Sequence, residues 1–249
     1  AIKEMQNSER TKEFYDDLLT GNEKRGVLGK DKRFGTDKII NKNIVNKYFT
    51  DVIRDYIDKD DDVLDYGCGP GAFLFLTSQY SKSIIGIDIT KGFVEECKDT
   101  ISKYKIDNAQ AIQIEPSNTG FENNQFDKII MVDVIHHIED IEKELFEIHR
   151  ILKPNGKLIV FEPNKLNPLM FFWHLFDKNE RGLLRVGSPK KYKRILNPLF
   201  KGISIRFSGL IVGPDSFIFN LLSNILNNKY IYPLFGWLNP KIFFVAEKR

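Results

Sequence analysis

Carboxylates and imidazoles stand at the ends of apolar runs in this chain, where a side chain can meet a ligand. Val63-Leu64-Asp65-Tyr66-Gly67-Cys68-Gly69-Pro70-Gly71 reads as the end of a buried strand, a glycine-rich turn and the start of a helix. Gly67, Gly69 and Gly71 have no Cβ, so the main chain can bend sharply and a ligand can lie against its N–H groups. Asp65 supplies a carboxylate beside that turn, and Asp88 closes the next apolar run, Ser83-Ile-Ile-Gly-Ile-Asp88. An acid placed there can accept both hydroxyls of a ribose. Further on, Asp133 ends Phe126 to Asp133, His136 and His137 follow it, and Glu162 ends Lys157 to Glu162. Imidazoles titrate near neutrality and suit proton transfer. The pattern points to a nucleotide-like cofactor, and because Gly67 to Ala72 also fits a loose G-x-G-x-x-A fingerprint, the turn alone leaves its identity open.

The elements that must hold these residues alternate. Ser8 to Leu19 reads as a helix carrying Phe14, Tyr15 and Leu18. A glycine- and charge-rich loop, Thr20 to Gly35, has the composition of a lid. From Thr36, an expected N-cap, Ile40, Ile44, Val45, Tyr48, Phe49, Val52, Ile53 and Tyr56 recur at helical spacing and predict one amphipathic helix. Crossover helices are expected over Ala72 to Gln79 and Lys91 to Lys103, with a third strand over Ala109 to Glu115. Lys153-Pro154-Asn155-Gly156 reads as a helix stop and tight turn before the fifth strand. This rhythm predicts an α/β fold, a Rossmann-like doubly wound sheet. Pro168 to Asp177 breaks it with an apolar run, followed by a basic stretch, and Ile203 to Phe207 and Lys241 to Ala246 read as two late strands flanking an apolar segment, Phe217 to Trp237.

The 249 residues carry a net charge of +3, unevenly distributed. Residues 165–249 hold 14 Lys or Arg against 4 Asp or Glu, whereas residues 61–164 hold 10 against 18. The basic third favours an anionic partner such as a phosphorylated small molecule or a phospholipid face. Ala1 to Arg10 lacks the apolar core of a secretory signal, no apolar run reaches a spanning length, and the two cysteines, Cys68 and Cys97, have no metal-ligand or disulfide spacing. A cytoplasmic protein without a bound metal is expected, with the basic, apolar final third as its surface for peripheral membrane contact.

Taken in order, Val63 to Gly71, Asp88, Phe126-Asp127, Val134-Ile-His-His-Ile-Glu-Asp140 and Ile151-Leu-Lys-Pro-Asn-Gly156 resemble the class I S-adenosylmethionine-dependent methyltransferases, in particular their small-molecule and lipid-type branch. The resemblance covers residues 60–163 well and the last two strands loosely. It implies a seven-stranded sheet with an antiparallel last strand, Lys241 to Ala246, beside the fifth. It also implies N-terminal helices and a helical insertion in the C-terminal region. Residues 1–249 would form a single methyltransferase domain, with residues 1–58 as helices and lid, 60–163 as the cofactor-binding core and 164–249 as the acceptor side. S-adenosylmethionine is the implied cofactor and S-adenosylhomocysteine its product. Asp65, Gly67, Cys68 and Gly69 would surround its methionine part, Asp88 the ribose, Ile89 and Glu115 the adenine, and Asp133 the methionine end, with Tyr15 closing over it. Pro116 lacks the N–H that commonly meets the adenine ring in this family.

Methyl transfer from a sulfonium gains most from alignment in a dry pocket, and a base is needed only where the acceptor must lose a proton. His136 and His137 are the candidate catalytic bases; Arg33, Glu162, His174 and Arg181 are the candidate acceptor-binding residues. The apolar run 168–176 fits a core helix, a pocket wall for a greasy acceptor, or a helix at a membrane interface. The expected function is O-methylation of a small or lipid-linked, anionic acceptor. RNA or protein methylation has the basic third in its favour but no Asn/Asp-Pro-Pro-aromatic tetrad or catalytic-cysteine motif. A nicotinamide-dependent oxidoreductase and a non-catalytic cofactor-binding module are the other classes.

Overall fold

A computed structural model describes residues 36–114, 118–176, 182–212 and 216–249. Short helices α1 (Thr36–Ile40), α2 (Asn43–Val45) and α3 (Asp51–Arg54), with a π-turn at Asn46–Thr50 between the last two, lead into the sheet. Then follow β1 (Asp62–Tyr66), α4 (Ala72–Ser78), β2 (Ser83–Asp88), α5 (Lys91–Tyr104), β3 (Ala109–Gln113) and β4 (Phe126–Val132). A 3-10 turn at Ile135–His137 precedes α6 (Ile141–Ile151) and β5 (Leu152–Pro163). The remainder comprises α7 (Pro168–Phe176), α8 (Gly182–Val186), α9 (Pro189–Leu196), β6 (Phe200–Ser208), α10 (Phe217–Leu226), α11 (Tyr232–Phe235), a 3-10 turn at Gly236–Leu238 and β7 (Lys241–Lys248).

The strands form one seven-stranded sheet in the order β3-β2-β1-β4-β5-β7-β6. β7 runs antiparallel to both its neighbours and the other pairings are parallel. The chain leaves β1 toward β2 on one side and returns to β4 on the other, so the crevice outside the carboxyl ends of β1 and β4 is the switch point at which such sheets bind ligands. Central strands are apolar on both faces because helices cover both. Ile130 and Phe243 point into the core beneath α1 to α5, while their neighbours Ile129 and Phe244 point into the core shared with α6 and α9. Edge strand β6 alternates instead, with Ile203, Ile205 and Phe207 half-buried and Ser204 and Arg206 exposed.

The helix expected from Thr36 to Tyr56 faces the core as its apolar spacing requires, but it is not continuous. The chain turns at Asn41-Lys42, where the Lys42 N–H donates to Ile39 O (3.1 Å) and buried Lys42 sends Nζ to Val212 O (3.1 Å). Thr36 uses its hydroxyl across the fold: it donates to Pro70 O (3.0 Å), and Thr100 Oγ1 donates to the same carbonyl (2.7 Å). Two hydroxyls thereby tether the glycine turn. The Lys153 to Gly156 turn lies within β5, with Asn155 at φ 60° and a shift of register against β4.

Candidate cofactor and acceptor site

The glycine turn is pinned to β2 by two bonds, Gly67 N–H and Cys68 N–H both donating to Ile87 O (2.8 and 2.9 Å). Gly67 and Gly69 adopt positive φ (77° and 49°) and serve different needs. A Cβ on Gly67 would stand 2.5 Å from Val134, so this position is closed by packing; a Cβ on Gly69 would meet nothing within 4 Å. The backbone at Gly69 thus borders open space at the switch point, a cradle for a ligand.

Three carboxylates stand at the neighbouring strand ends. Asp65 is buried, and its Oδ2 has no hydrogen-bond partner among the described residues. Burial, with the charge of Asp88 adding to it, pushes its carboxyl up to about 8. An orphaned acid in a folded protein marks a missing partner, here one with cationic or N–H donors. Asp88, half-buried, accepts from Gly69 N–H (3.1 Å) and Thr90 N–H (2.9 Å), and burial raises its carboxyl against those bonds. Asp133, at φ 60°, donates its N–H to Phe161 O (2.9 Å), and its carboxylate accepts from Lys241 Nζ. Ile89 lies next to Asp88 and accepts at its carbonyl from Gln113 Nε2 (3.1 Å). The Cys68 thiol, held against Cys97 and buried, is pushed well above its ordinary value and stays protonated.

Beyond β4 the next group is assembled around Glu162. Its Oε1 accepts from Val134 N–H (2.7 Å) and Ile135 N–H (2.8 Å); its Oε2 accepts from His136 N–H (3.3 Å) and lies 2.7 Å from His136 Nδ1. Both side chains are buried. Burial would raise this acid, but the His136 ring, the N–H donors and Lys241 outweigh it and hold Glu162 below the usual glutamate range. The rings of His137 and His174 stand 4.0 and 6.0 Å from that of His136, and His174 Nδ1 lies 2.7 Å from Met170 O. Gly182, the first residue of α8, packs on the His136 carbonyl so closely that any Cβ would overlap it. The insertion therefore roofs the 135–137 turn.

Of the residues singled out from the sequence, Asp65, Gly67, Cys68, Gly69, Asp88, Ile89 and Asp133 gather at the carboxyl ends of β1, β2 and β4. His136, His137, Glu162 and His174 gather beside them. Tyr15, Arg33, Glu115, Pro116 and Arg181 lie outside the described residues. His149, on α6, is apart from the cluster and packs edge-on against Phe200 (5.8 Å). Two members went unread in the sequence. Lys241 is the lone charge opening the apolar strand Lys-Ile-Phe-Phe-Val-Ala, a signal that was available. Tyr192, fully buried, has its phenol pushed well above its ordinary value by burial and by the charges of Glu162 and Asp133; its place among lysines on α9 gave no such hint.

A family model described as a methyltransferase domain matches residues 57–201, more than half of the chain. The chain belongs to that family. It is of the class I, S-adenosylmethionine-dependent kind, and the Asp65 orphan, the open face of Gly69 and the Asp88 carboxylate fit that cofactor. The methyltransferase domain is 30% identical over 100 residues to the uncharacterized methyltransferase YcgJ of Bacillus subtilis, covering 40% of each chain. It is 32% identical over 107 residues to the highly reducing polyketide synthase aurA of Calcarisporium arbuscula, covering 40% of this chain and 4% of that one. The match thus spans less than half the length of these curated relatives. A methyltransferase of Aquifex aeolicus shares its fold at TM-score 0.58 and 16% identity, over 88% of this chain and 98% of that one. So does Haemonchus contortus phosphoethanolamine N-methyltransferase 2, solved with S-adenosylmethionine, at TM-score 0.59 and 16% identity, over 87% of this chain and 57% of that one.

Proposed function

We propose that the methyltransferase domain moves a methyl group from S-adenosylmethionine to a hydroxyl oxygen of a small or lipid-linked, anionic acceptor. In this reading His136 is the base and Glu162 positions it. Residues 60–163 hold the cofactor and residues 164–249 form the acceptor side of one domain. The cofactor, when bound, supplies a methyl group on a positively charged sulfur that leaves as a neutral thioether.

The observation that carries the oxygen reading is the 2.7 Å contact between His136 Nδ1 and Glu162 Oε2. Glu162 is held ionised and can only accept, so Nδ1 carries a proton, and in the neutral form of the ring, the form that serves as a base, the lone pair is on Nε2. A buried carboxylate behind the ring also stabilises the imidazolium that forms when a proton is taken up. An acceptor hydroxyl needs such a base; an amine that already has a free pair does not. Asp65 and Asp88 hold the cationic, ribose-bearing cofactor, Asp133 borders its methionine end, and α7 and α8 exclude water above the histidine. The fold neighbours alone do not choose the atom, since their names include nitrogen and carbon methyltransferases. The relative that is a polyketide synthase supports a small-molecule acceptor.

The test is methyl transfer from labelled S-adenosylmethionine into a cell extract, with mass analysis of the labelled product and the same assay on His136→Asn. An ether or ester product, with turnover lost in the variant and cofactor affinity kept, supports the reading. An N- or C-methylated product, or unchanged turnover, overturns it.

A further inference from the structure

The exposed apolar surface is confined to one part of the fold. Among the described residues, seventeen large apolar side chains are exposed, and all but Ile112 and Phe146 lie between Leu166 and Trp237. On α7, His174 faces inward while Leu169, Phe172 and Phe176 face out, at 53, 56 and 79% exposure. On α10, Phe217, Ile218, Leu221, Leu222 and Ile225 repeat at helical spacing along one outward stripe, and Ser223 is buried opposite. Leu234 and Trp237 extend the series on and after α11. Monomeric soluble proteins rarely leave so much apolar surface to water.

These elements are tied together at one end of the sheet. Asn164, just past β5, donates to Trp237 O (2.8 Å) and Asn239 O (2.9 Å), and Asn227, at the end of α10, donates to Asn239 Oδ1 (2.7 Å). That is the end that also carries Glu162, Lys241 and the 135–137 turn. That end also carries exposed bases, Arg185 on α8, Lys190 at the start of α9, and Lys229, which stands over the ring of exposed Tyr230 at 4.9 Å; Lys193 and Arg194 are exposed further along α9. No described helix is long and apolar enough to cross a membrane; α7 and α10 have nine and ten residues, the length of interfacial rather than spanning elements.

We infer that the outward faces of α7, α10 and α11 dock the protein on an anionic phospholipid bilayer, apolar side chains in the interface and lysines and arginines over the headgroups. Both terms of interfacial binding are present, apolar burial and attraction of basic residues to anionic lipid. A symmetric contact with a second copy is disfavoured, because a two-fold axis sets this basic third against its own image. Docking turns the acceptor end of the domain toward the membrane, so an acceptor on a lipid anchor reaches His136 without leaving the bilayer. The inference extends the reading of the acceptor as lipid-linked. Its test measures vesicle binding rather than methyl transfer, so the two can fail separately.

The test is flotation with vesicles of phosphatidylcholine alone and of phosphatidylcholine mixed with phosphatidylglycerol, at low and high salt. Emission is followed from Trp173 and Trp237, the two tryptophans of the chain, the first on α7 and the second in the turn after α11. Binding to the mixed vesicles at low salt, a blue-shifted emission and release by salt are expected. Phe172→Asp with Phe217→Asp should lower partitioning on the order of 100-fold, with cofactor binding by calorimetry showing that the variant is folded. A protein that stays soluble with the mixed vesicles at low salt overturns the inference. So does a folded variant that floats like the parent, or light scattering in which the substitutions only break up an oligomer. Should the variant lose cofactor binding as well, the salt response and emission of the parent decide alone.

Discussion

Glu162 Oε2 lies 2.7 Å from His136 Nδ1, and the same carboxylate accepts the N–H groups of Val134, Ile135 and His136. One buried acid therefore shapes the turn after β4 and sets which ring nitrogen carries the proton. Glu162→Gln keeps the shape and can still accept from the turn, but its amide nitrogen donates toward Nδ1 and drives the proton to Nε2. Turnover should fall about 10²- to 10⁴-fold, the range of a lost general base, while cofactor affinity stays within about threefold, since no cofactor contact is removed. Single-turnover kinetics reads the first effect and calorimetry the second. Imidazole nitrogen shifts in the NMR spectrum would report the exchanged tautomer.

Asp65 gives the domain a pH dependence of unusual sign. Its carboxyl is raised from 3.8 to about 8, so between those values the folded apoprotein keeps a proton that the unfolded chain has lost. Stability must fall as pH rises through that window, by ~1.4 kcal/mol per unit from this group at most, and level off above it. Asp65→Asn removes the effect, and thermal melts of the apoprotein across the window should converge at low pH and favour the variant at high pH. A cationic ligand favours the ionised acid, so S-adenosylmethionine should bind tighter as pH rises and release a proton on binding near neutrality. Calorimetry in buffers of different ionisation heat measures that proton, and it should vanish in Asp65→Asn.

The sheet was legible because its signals are local. Each central strand is an apolar run ended by an acid, and the helices between them have one apolar face, so Asp65, Asp88 and Asp133 could be placed at strand ends by counting alone. The break at Asn41-Lys42 was not legible, because a lysine at a helical position reads as solvated, and the Val212 carbonyl that accepts from its Nζ lies far along the chain. Glu162 and His136 were visible as types but not as a pair: their bond spans 26 positions and depends on β4 and β5 lying side by side. Lys241 was hidden for the same reason, its partner Asp133 being 108 positions away.

The two glycines of the turn should respond differently to alanine. Gly67→Ala meets Val134 at 2.5 Å on top of a left-handed backbone at φ 77°, and neither can relax without moving the turn after β4. A loss of roughly 2–4 kcal/mol is expected from strain plus overpacking. Gly69→Ala carries the backbone cost alone, about 1 kcal/mol, since nothing lies within 4 Å of the added carbon. That carbon instead enters the space left for the ligand. Denaturant melts should therefore rank Gly67→Ala as the less stable, whereas titration with S-adenosylmethionine should show Gly69→Ala folded and weakened in binding by tenfold or more, as expected for a methyl group in a backbone-lined cradle.

Lys241 is 8% exposed and bonds Asp133, whose side chain is 31% exposed and whose backbone is held at φ 60°. Its charge also helps hold Glu162 below the usual glutamate range. Lys241→Met keeps the length and apolar stem of the side chain but leaves two acids without their cation. Breaking one side of a partly buried pair should cost roughly 2–3 kcal/mol, less than for a fully buried one. Adding Asp133→Asn should recover part of that loss, and the double-mutant cycle gives the coupling directly. A lowered carboxylate contributes stability that is complete above its ordinary value, 4.5 for Glu162, and is lost as pH falls through the folded value. Without Lys241 the folded value rises, so acid unfolding of Lys241→Met should begin at higher pH than in the parent. Melts that shift in parallel at every pH would instead place Lys241 in packing alone.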